Sequence, residues 1–273
     1  MNDTEPGVCE DARSITLVQR SRTDRVAVLF HGFTASPPQL ARISEHLFAG
    51  GWNVVVPRLP LHGYADRLTK RFGVLDLPML TECADTAIAF ASTLGSRLLI
   101  GGFSLGATLA LWTAHRHAAQ RVVAIAPLFG LVVLPAVLQT LVARSMLTLP
   151  NYFLWWNLFL RERDGSAHGY PRFATHPIAR VLLAAQPFLE ELQTHPPRTK
   201  QAIFGLNARE TTVNNALARR VAMQWDKDSE SNVLIRMMNG LPPSHDILDP
   251  SLSGTLADRA FPQVVRLFDE TCT

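Results

Sequence analysis

Little in this sequence is extreme, and what it has little of narrows the field. Three cysteines in 273 residues, Cys9, Cys83 and Cys272, are too sparse and too far apart for a disulfide framework, and no C-x-x-C occurs. Free thiols in a reducing compartment are expected, with the cytoplasm as the default location. Charged residues are only 18% of the chain and the net charge is +3, scattered along it, so nucleic-acid binding has no compositional support. The opening MNDTEPGVCEDARS has neither a basic n-region nor an apolar h-region, and a secretory signal is not expected. No internal repeat or low-complexity tract appears. Long apolar runs are also scarce. Val122 to Ala143 approaches the length of a membrane span, with only Gln139 and Thr140 polar. Pro127, Gly130 and Pro135 punctuate it, so a buried strand (Val122 to Ala126) followed by an apolar cap helix is expected, not a stable span.

What is present is apolar and patterned. At 47% hydrophobic, the chain is long enough for one sizeable α/β domain with room for an insertion. Ser14 to Arg20 reads as an edge strand. Val26 to Phe30 is continuously apolar, the sign of a parallel strand covered on both faces. After Ser36 and its prolines, Leu40, Ile43, Leu47 and Phe48 recur at helical spacing until Gly50-Gly51. Trp52 to Val56 is the next strand, Leu77 to Leu94 the next helix. From Leu128 to about Pro197 this alternation breaks down, and a mostly helical inserted cap is expected over residues 128–197. Alternation resumes with a strand at Gln201 to Phe204, a helix from about Val213 to Trp225, a strand at Asn232 to Met237 and a helix from about Thr255 to Thr271. The fold class is therefore α/β: a mostly parallel sheet flanked by helices, its core formed by residues 1–127 and 198–273, with a ligand site at the strands' C-terminal ends.

One stretch stands out. Leu98 to Ala114, LLIGGFSLGATLALWTA, runs from an apolar strand into a helix through G-x-S-x-G: Gly102, Phe103, Ser104, Leu105, Gly106. In a strand-turn-helix setting this pattern holds a serine on a strained turn with its hydroxyl exposed. Gly102 and Gly106 are the positions where a side chain would meet the neighbouring strand and helix.

A serine nucleophile needs a base, and the base needs an acceptor that fixes its tautomer. Of nine histidines, His245 lies in the loop after the last strand, at the sheet edge that carries Ser104. His31 and His62 each precede a glycine in loops near that edge and are candidates for lining the site or supporting it from behind. The strand ending near Gly205 is followed by LNARETTV, whose only carboxylate is Glu210. Asp226 and Asp228 precede a strand and fall at the opposite edge, and Asp246 and Asp249 follow His245. Glu210 is the preferred acid, and its plain alternative is a first-turn glutamate favoured by the helix dipole. Donors for a developing oxyanion are expected from the backbone N–H groups of Leu105, at a helix N-terminus, and of Phe33, in the turn after the first long strand.

These pieces, VLFHGFTASP, NVVVPRLPLHG, GGFSLGA, NARETTV and LPPSHDI in that order, resemble the α/β-hydrolase superfamily. The branch they are most similar to is the monoacylglycerol lipases and small carboxylesterases. The resemblance covers Val26 to Pro127 and Gln201 to the C-terminus, not the cap. It implies Ser104 as nucleophile, His245 as general base, Glu210 as acid, Phe33 and Leu105 as oxyanion donors, and hydrolysis of a small-molecule carboxylic ester or acyl substrate without metal or cofactor. Glutamate stands where this branch usually has aspartate. The same triad also serves thioesterases, peptidases and acyltransferases, and the fold also occurs in non-catalytic binding proteins. Leu128, Trp155 and Trp156 are candidates for lining an apolar roof, which could also make transient contact with an interface. Arg58, Arg67, Lys70 and Arg71 either meet an anionic head group or form a solvated loop face. Oligomeric state has no sequence signal.

Overall fold

The computed structural model describes residues 3–163, 167–227, 230–251 and 254–270. Asp228, Cys272 and the predicted end of the last helix at Thr271 lie outside them.

Seven strands form one sheet: β1 (Ile15–Leu17), β2 (Arg25–Phe30), β3 (Asn53–Val56), β4 (Arg97–Phe103), β5 (Arg121–Ile125), β8 (Gln201–Asn207) and β9 (Asn232–Met238). Their order is β1-β3-β2-β4-β5-β8-β9. Only β1 runs antiparallel, against β3; every other pairing is parallel. The apolar runs explain this, since Val26 to Phe30 and Val54 to Val56 are almost completely buried, as strands covered on both faces must be. The covering helices are α1 (Ala41–Ala49), α2 (Leu77–Leu94), α3 (Leu105–Arg116), α6 (Asn215–Lys227) and α7 (Gly254–Asp269).

Local chemistry sets the element ends. Asp76 caps α2, its carboxylate accepting the Met79 N–H at 2.9 Å. Asn214 caps α6 through the Ala216 N–H at 2.9 Å, which is why that helix begins later than the apolar spacing suggested at Val213. β4 runs past Ile100 through Gly101 and Gly102, residues poor at strand formation. The ladder overrides their propensity, because Gly101 pairs with both Leu29 and Val123, and Gly102 with both Phe30 and Ala124.

Between β5 and β8 the chain leaves the sheet and returns to the adjacent strand. This excursion holds α4 (Ala136–Thr148), β6 (Phe153–Trp155), β7 (Arg172–Ala174) and α5 (Thr175–Thr194). The expectation of a mostly helical region missed the β6–β7 ribbon, whose three-residue strands are too short to show alternation. α5 buries Ile178, Leu182, Phe188 and Leu192 in the same apolar core as the sheet. α4 does the reverse: Gln139 and Ala143 are its buried residues, while Val137, Leu138 and Leu141 face outward. Among the described residues no helix is long and apolar enough to cross a membrane.

Candidate active site

Ser104 sits between the end of β4 and the start of α3 at φ 55°, ψ −118°. An L-residue in the left-handed region costs about 1–2 kcal/mol, so the surroundings must fix it there. They do: the Ser104 N–H donates to Ile125 O at 2.9 Å, and its carbonyl accepts from Ala107 at 3.0 Å and Thr108 at 3.1 Å. The turn closes only because its flanks are glycine. A Cβ on Gly102 would stand 2.2 Å from Gly106 O, and one on Gly106 2.0 Å from Phe30 O.

The loop after β9 brings His245 onto this turn. Its Nε2 lies 2.8 Å from Ser104 Oγ and its Nδ1 3.1 Å from Glu210 Oε1. Glu210 follows β8, and its side chain is almost wholly covered. The same Oε1 accepts the N–H groups of Thr211 at 2.9 Å and Thr212 at 2.8 Å. Burial pushes this carboxyl up, but the hydrogen bond and charge of His245, with the Thr212 and Val213 N–H groups, outweigh it and hold it below its ordinary value. Glu210 is not in the first turn of a helix, since α6 starts at Asn215; it closes the turn after β8 and contacts the histidine.

Sequence reasoning did not find Asn207, fully buried at the end of β8. Its amide donates to Ser244 O at 3.0 Å and Pro242 O at 3.3 Å, tying the histidine loop to the strand that carries the acid. A polar residue ending the apolar run Ala202 to Leu206 was the available signal.

Facing Ser104 across the cavity is the turn after β2. Among the described residues neither the Phe33 nor the Leu105 N–H has an acceptor, so both remain available to a ligand. The turn is held on several sides. His31 Nδ1–H donates to Gly32 O at 3.0 Å while its Nε2 accepts the Leu59 N–H at 3.1 Å. His62 Nδ1–H donates to Pro60 O at 2.8 Å and its Nε2 accepts the Thr34 N–H at 3.2 Å. Both rings are neutral in this arrangement, each with one donating and one accepting nitrogen. Burial lowers His62 from 6.5 to about 4, and burial, then the neighbouring His62, lower His31 well below 6.5. From the excursion, Tyr170 N–H donates to Thr34 O at 2.7 Å and Trp156 Nε1–H to Thr34 Oγ1 at 2.9 Å.

The cavity above Ser104 has a volume of about 290 Å³ and a mostly apolar wall that includes Phe33, Leu128, Trp156 and Ile178. His31 and His62 do not line it: both are fully buried, their ring nitrogens engaged by backbone. Trp155 does not line it either, because it pairs with Arg172 on the ribbon and takes the Arg172 guanidinium over its ring, 5.4 Å from the centroid. The basic cluster is likewise absent from the wall. Arg58 is buried and paired with Glu5 at 3.2 Å and Asp3 at 3.5 Å, and Arg67 is held by Gly169 O at 2.8 Å. Among the described residues no three His, Cys, Asp or Glu side chains gather as a metal-ligand set.

The fold has known counterparts. Residues 27–265 match the alpha/beta hydrolase family, and the chain belongs to it. In structure it is similar to a metagenome-derived lipolytic enzyme of the LipS and LipT pair, at a TM-score of 0.68 and 16% identity over 96% of this chain and 100% of the other. It is also similar to a soluble variant of Saccharomyces cerevisiae monoglyceride lipase in complex with a substrate analog (TM-score 0.67, 16% identity, 95% and 92% covered). A third counterpart is Paleococcus ferrophilus monoacylglycerol lipase (TM-score 0.65, 16% identity, 93% and 98% covered). No functionally curated protein matches the chain in sequence.

Proposed function

We propose that this chain is a serine hydrolase of carboxylic esters. The observation that carries the reading is the hydrogen-bonded series Ser104 Oγ, His245 Nε2, His245 Nδ1, Glu210 Oε1, at 2.8 and 3.1 Å. Glu210 accepts from Nδ1–H, which leaves the Nε2 lone pair facing the serine hydroxyl. Ser104 Oγ attacks the acyl carbon and its proton passes to His245 Nε2. The carbonyl oxygen, now negative, takes the N–H groups of Phe33 and Leu105, which are fixed before the substrate arrives and need no reorganisation. The tetrahedral species collapses, His245 protonates the departing alkoxide, and the acyl group stays on Ser104. Water then repeats the sequence, with His245 as base and Ser104 as leaving group.

The roughly 290 Å³ cavity and its apolar wall suit a small or medium acyl group. Residues 128–197 act as a cap over it. Delivery from an interface is supported by the exposed apolar side chains around the cap, among them Val137 at 88% and Phe159 at 97% exposure. The reading is of a cytoplasmic enzyme, supported by Cys9 and Cys83 as free thiols.

The test is hydrolysis of p-nitrophenyl butyrate and labelling by a fluorophosphonate. Wild type is expected to do both. Ser104→Ala is expected to do neither, with kcat down about 10⁴-fold or more and an unchanged fold. Full activity in Ser104→Ala would overturn the reading.

A further inference from the structure

The proposed oxyanion donor and the proposed base come from opposite ends of the chain and from strands that do not touch. β2 and β9 are separated by β4, β5 and β8, four strand spacings or roughly 19 Å across the sheet. No backbone ladder sets the distance between the turn after β2 and the loop after β9. Yet both must converge on one acyl carbon, and a misplacement on the order of 1 Å costs about 100-fold in rate.

One side chain spans the gap. Gln39, 3% exposed, lies in the short turn of 3₁₀ helix that precedes α1. Its Oε1 accepts the Gly32 N–H at 2.8 Å, one residue before Phe33. Its Nε2 donates to Asp246 Oδ2 at 2.8 Å, one residue after His245. The far end is itself anchored, because Asp246 Oδ1 accepts the N–H groups of Leu248 at 3.1 Å and Asp249 at 3.2 Å. The amide orientation is dictated by its partners: an N–H requires the oxygen on one side, a carboxylate the NH₂ on the other. A carboxylate at position 39 satisfies Gly32 and repels Asp246; an apolar side chain strands both, and a stranded buried partner is costly.

We propose that Gln39 is a positioning residue, whose amide bridges Gly32 to Asp246 and so fixes the Phe33 N–H relative to His245. The inference rests on the ester-hydrolase reading above. Gln39 and Asp246 both border the cavity, but the two ends of the Gln39 amide are engaged by Gly32 and Asp246 and are not directed at a ligand. Loss of the bridge therefore acts on kcat and leaves KM nearly alone.

The polarity of the bridge can be reversed, and this supplies the test. In Gln39→Glu combined with Asp246→Asn, the new carboxylate accepts from Gly32 with one oxygen and from the introduced asparagine amide with the other. The asparagine oxygen keeps the Leu248 and Asp249 N–H groups. Wild type, Q39E, Q39L, D246N and Q39E/D246N are compared with p-nitrophenyl butyrate. Each rate is divided by the fraction of protein titrated by a fluorophosphonate, so a merely unstable variant does not register as a slow one. Q39E, Q39L and D246N are expected to lose about 10- to 100-fold in kcat with KM within about threefold. The double variant is expected to recover to within about threefold of wild type. If the singles keep kcat within roughly twofold, or the double is no better than Q39E, the bridge does not position the site. A wild type that is neither labelled nor active would overturn the hydrolase reading, and this proposal with it. An active wild type with an unrescued double overturns this proposal alone.

Discussion

The Oε1 atom of Glu210 receives His245 Nδ1 at 3.1 Å and the Thr212 N–H at 2.8 Å. One oxygen therefore both closes the turn after β8 and holds the histidine. The covered glutamate side chain makes both sets of contacts at once, with the turn folded around its carboxylate.

That double use makes Glu210→Gln and Glu210→Asp differ. The amide oxygen can keep every partner of Oε1, but the negative charge that would balance a protonated His245 is lost and a buried NH₂ replaces the unpartnered Oε2. Glu210→Gln is expected to lower kcat on p-nitrophenyl butyrate by about 10²- to 10⁴-fold. Aspartate keeps the charge but is too short for both contacts, and a loss of about tenfold is expected. Steady-state kinetics beside a thermal melt of each variant separates the two.

Acid should weaken the fold in two windows. His31 and His62 are neutral and buried, and burial lowers His62 from 6.5 to about 4. Below pH 6.5 the unfolded chain takes protons that the folded chain refuses, so stability falls with pH until the folded ring also titrates, near 4. For His62 the total is about 3 kcal/mol. Glu210 is held below its ordinary 4.5, so its contribution is full above that value and is lost as the pH drops through its folded value. Melting temperatures between about pH 4 and 8 are expected to fall on the acid side, and His62→Gln is expected to flatten the decline between 6.5 and 4.

Gly106→Ala is expected to prevent folding or cost more than about 3 kcal/mol. The added carbon would lie 2.0 Å from Phe30 O and 2.4 Å from His31 O, both backbone, with no side chain to move aside. Soluble yield and melting temperature check this, and a variant as stable as wild type would contradict it.

Charge on the exposed apolar rim should separate substrates by their physical state. Val137→Asp with Phe159→Asp alters side chains 88% and 97% exposed, so the fold should be unaffected. Hydrolysis of emulsified long-chain esters is expected to fall about tenfold while that of dissolved p-nitrophenyl butyrate stays unchanged. Equal losses on both would count against delivery from an interface.

The parts of this molecule that could be read from sequence are those set by local rules. Continuous apolar runs marked β2, β3 and β5, and the glycines around Ser104 marked a turn that only they permit. The order of loops then brought His245 and Glu210 to one edge, because parallel strands put every returning loop there. What stayed hidden depends on partners far apart in the chain. Gln39 carries no signal of its own in the sequence, because its partner Asp246, 2.8 Å away, lies 207 positions later. His31 and His62 were near the site in sequence but are turned inward, and no periodicity reports which way a loop side chain faces. Trp155 ends β6 and Trp156 follows it directly, and of these neighbours the second borders the cavity, a difference that one position in the sequence does not signal.

The excursion of residues 128–197 starts and ends at neighbouring strands, so in principle a different segment could be spliced between β5 and β8 without altering the sheet. The hydrogen bonds to Thr34 set the condition on such an exchange. Tyr170 N–H and Trp156 Nε1–H both end on that residue, directly beside the Phe33 donor. A transplanted segment that brings a new binding wall but no donors for Thr34 inherits a looser turn at the proposed oxyanion donor, and on the proposed function part of any new selectivity would be offset by a slower reaction.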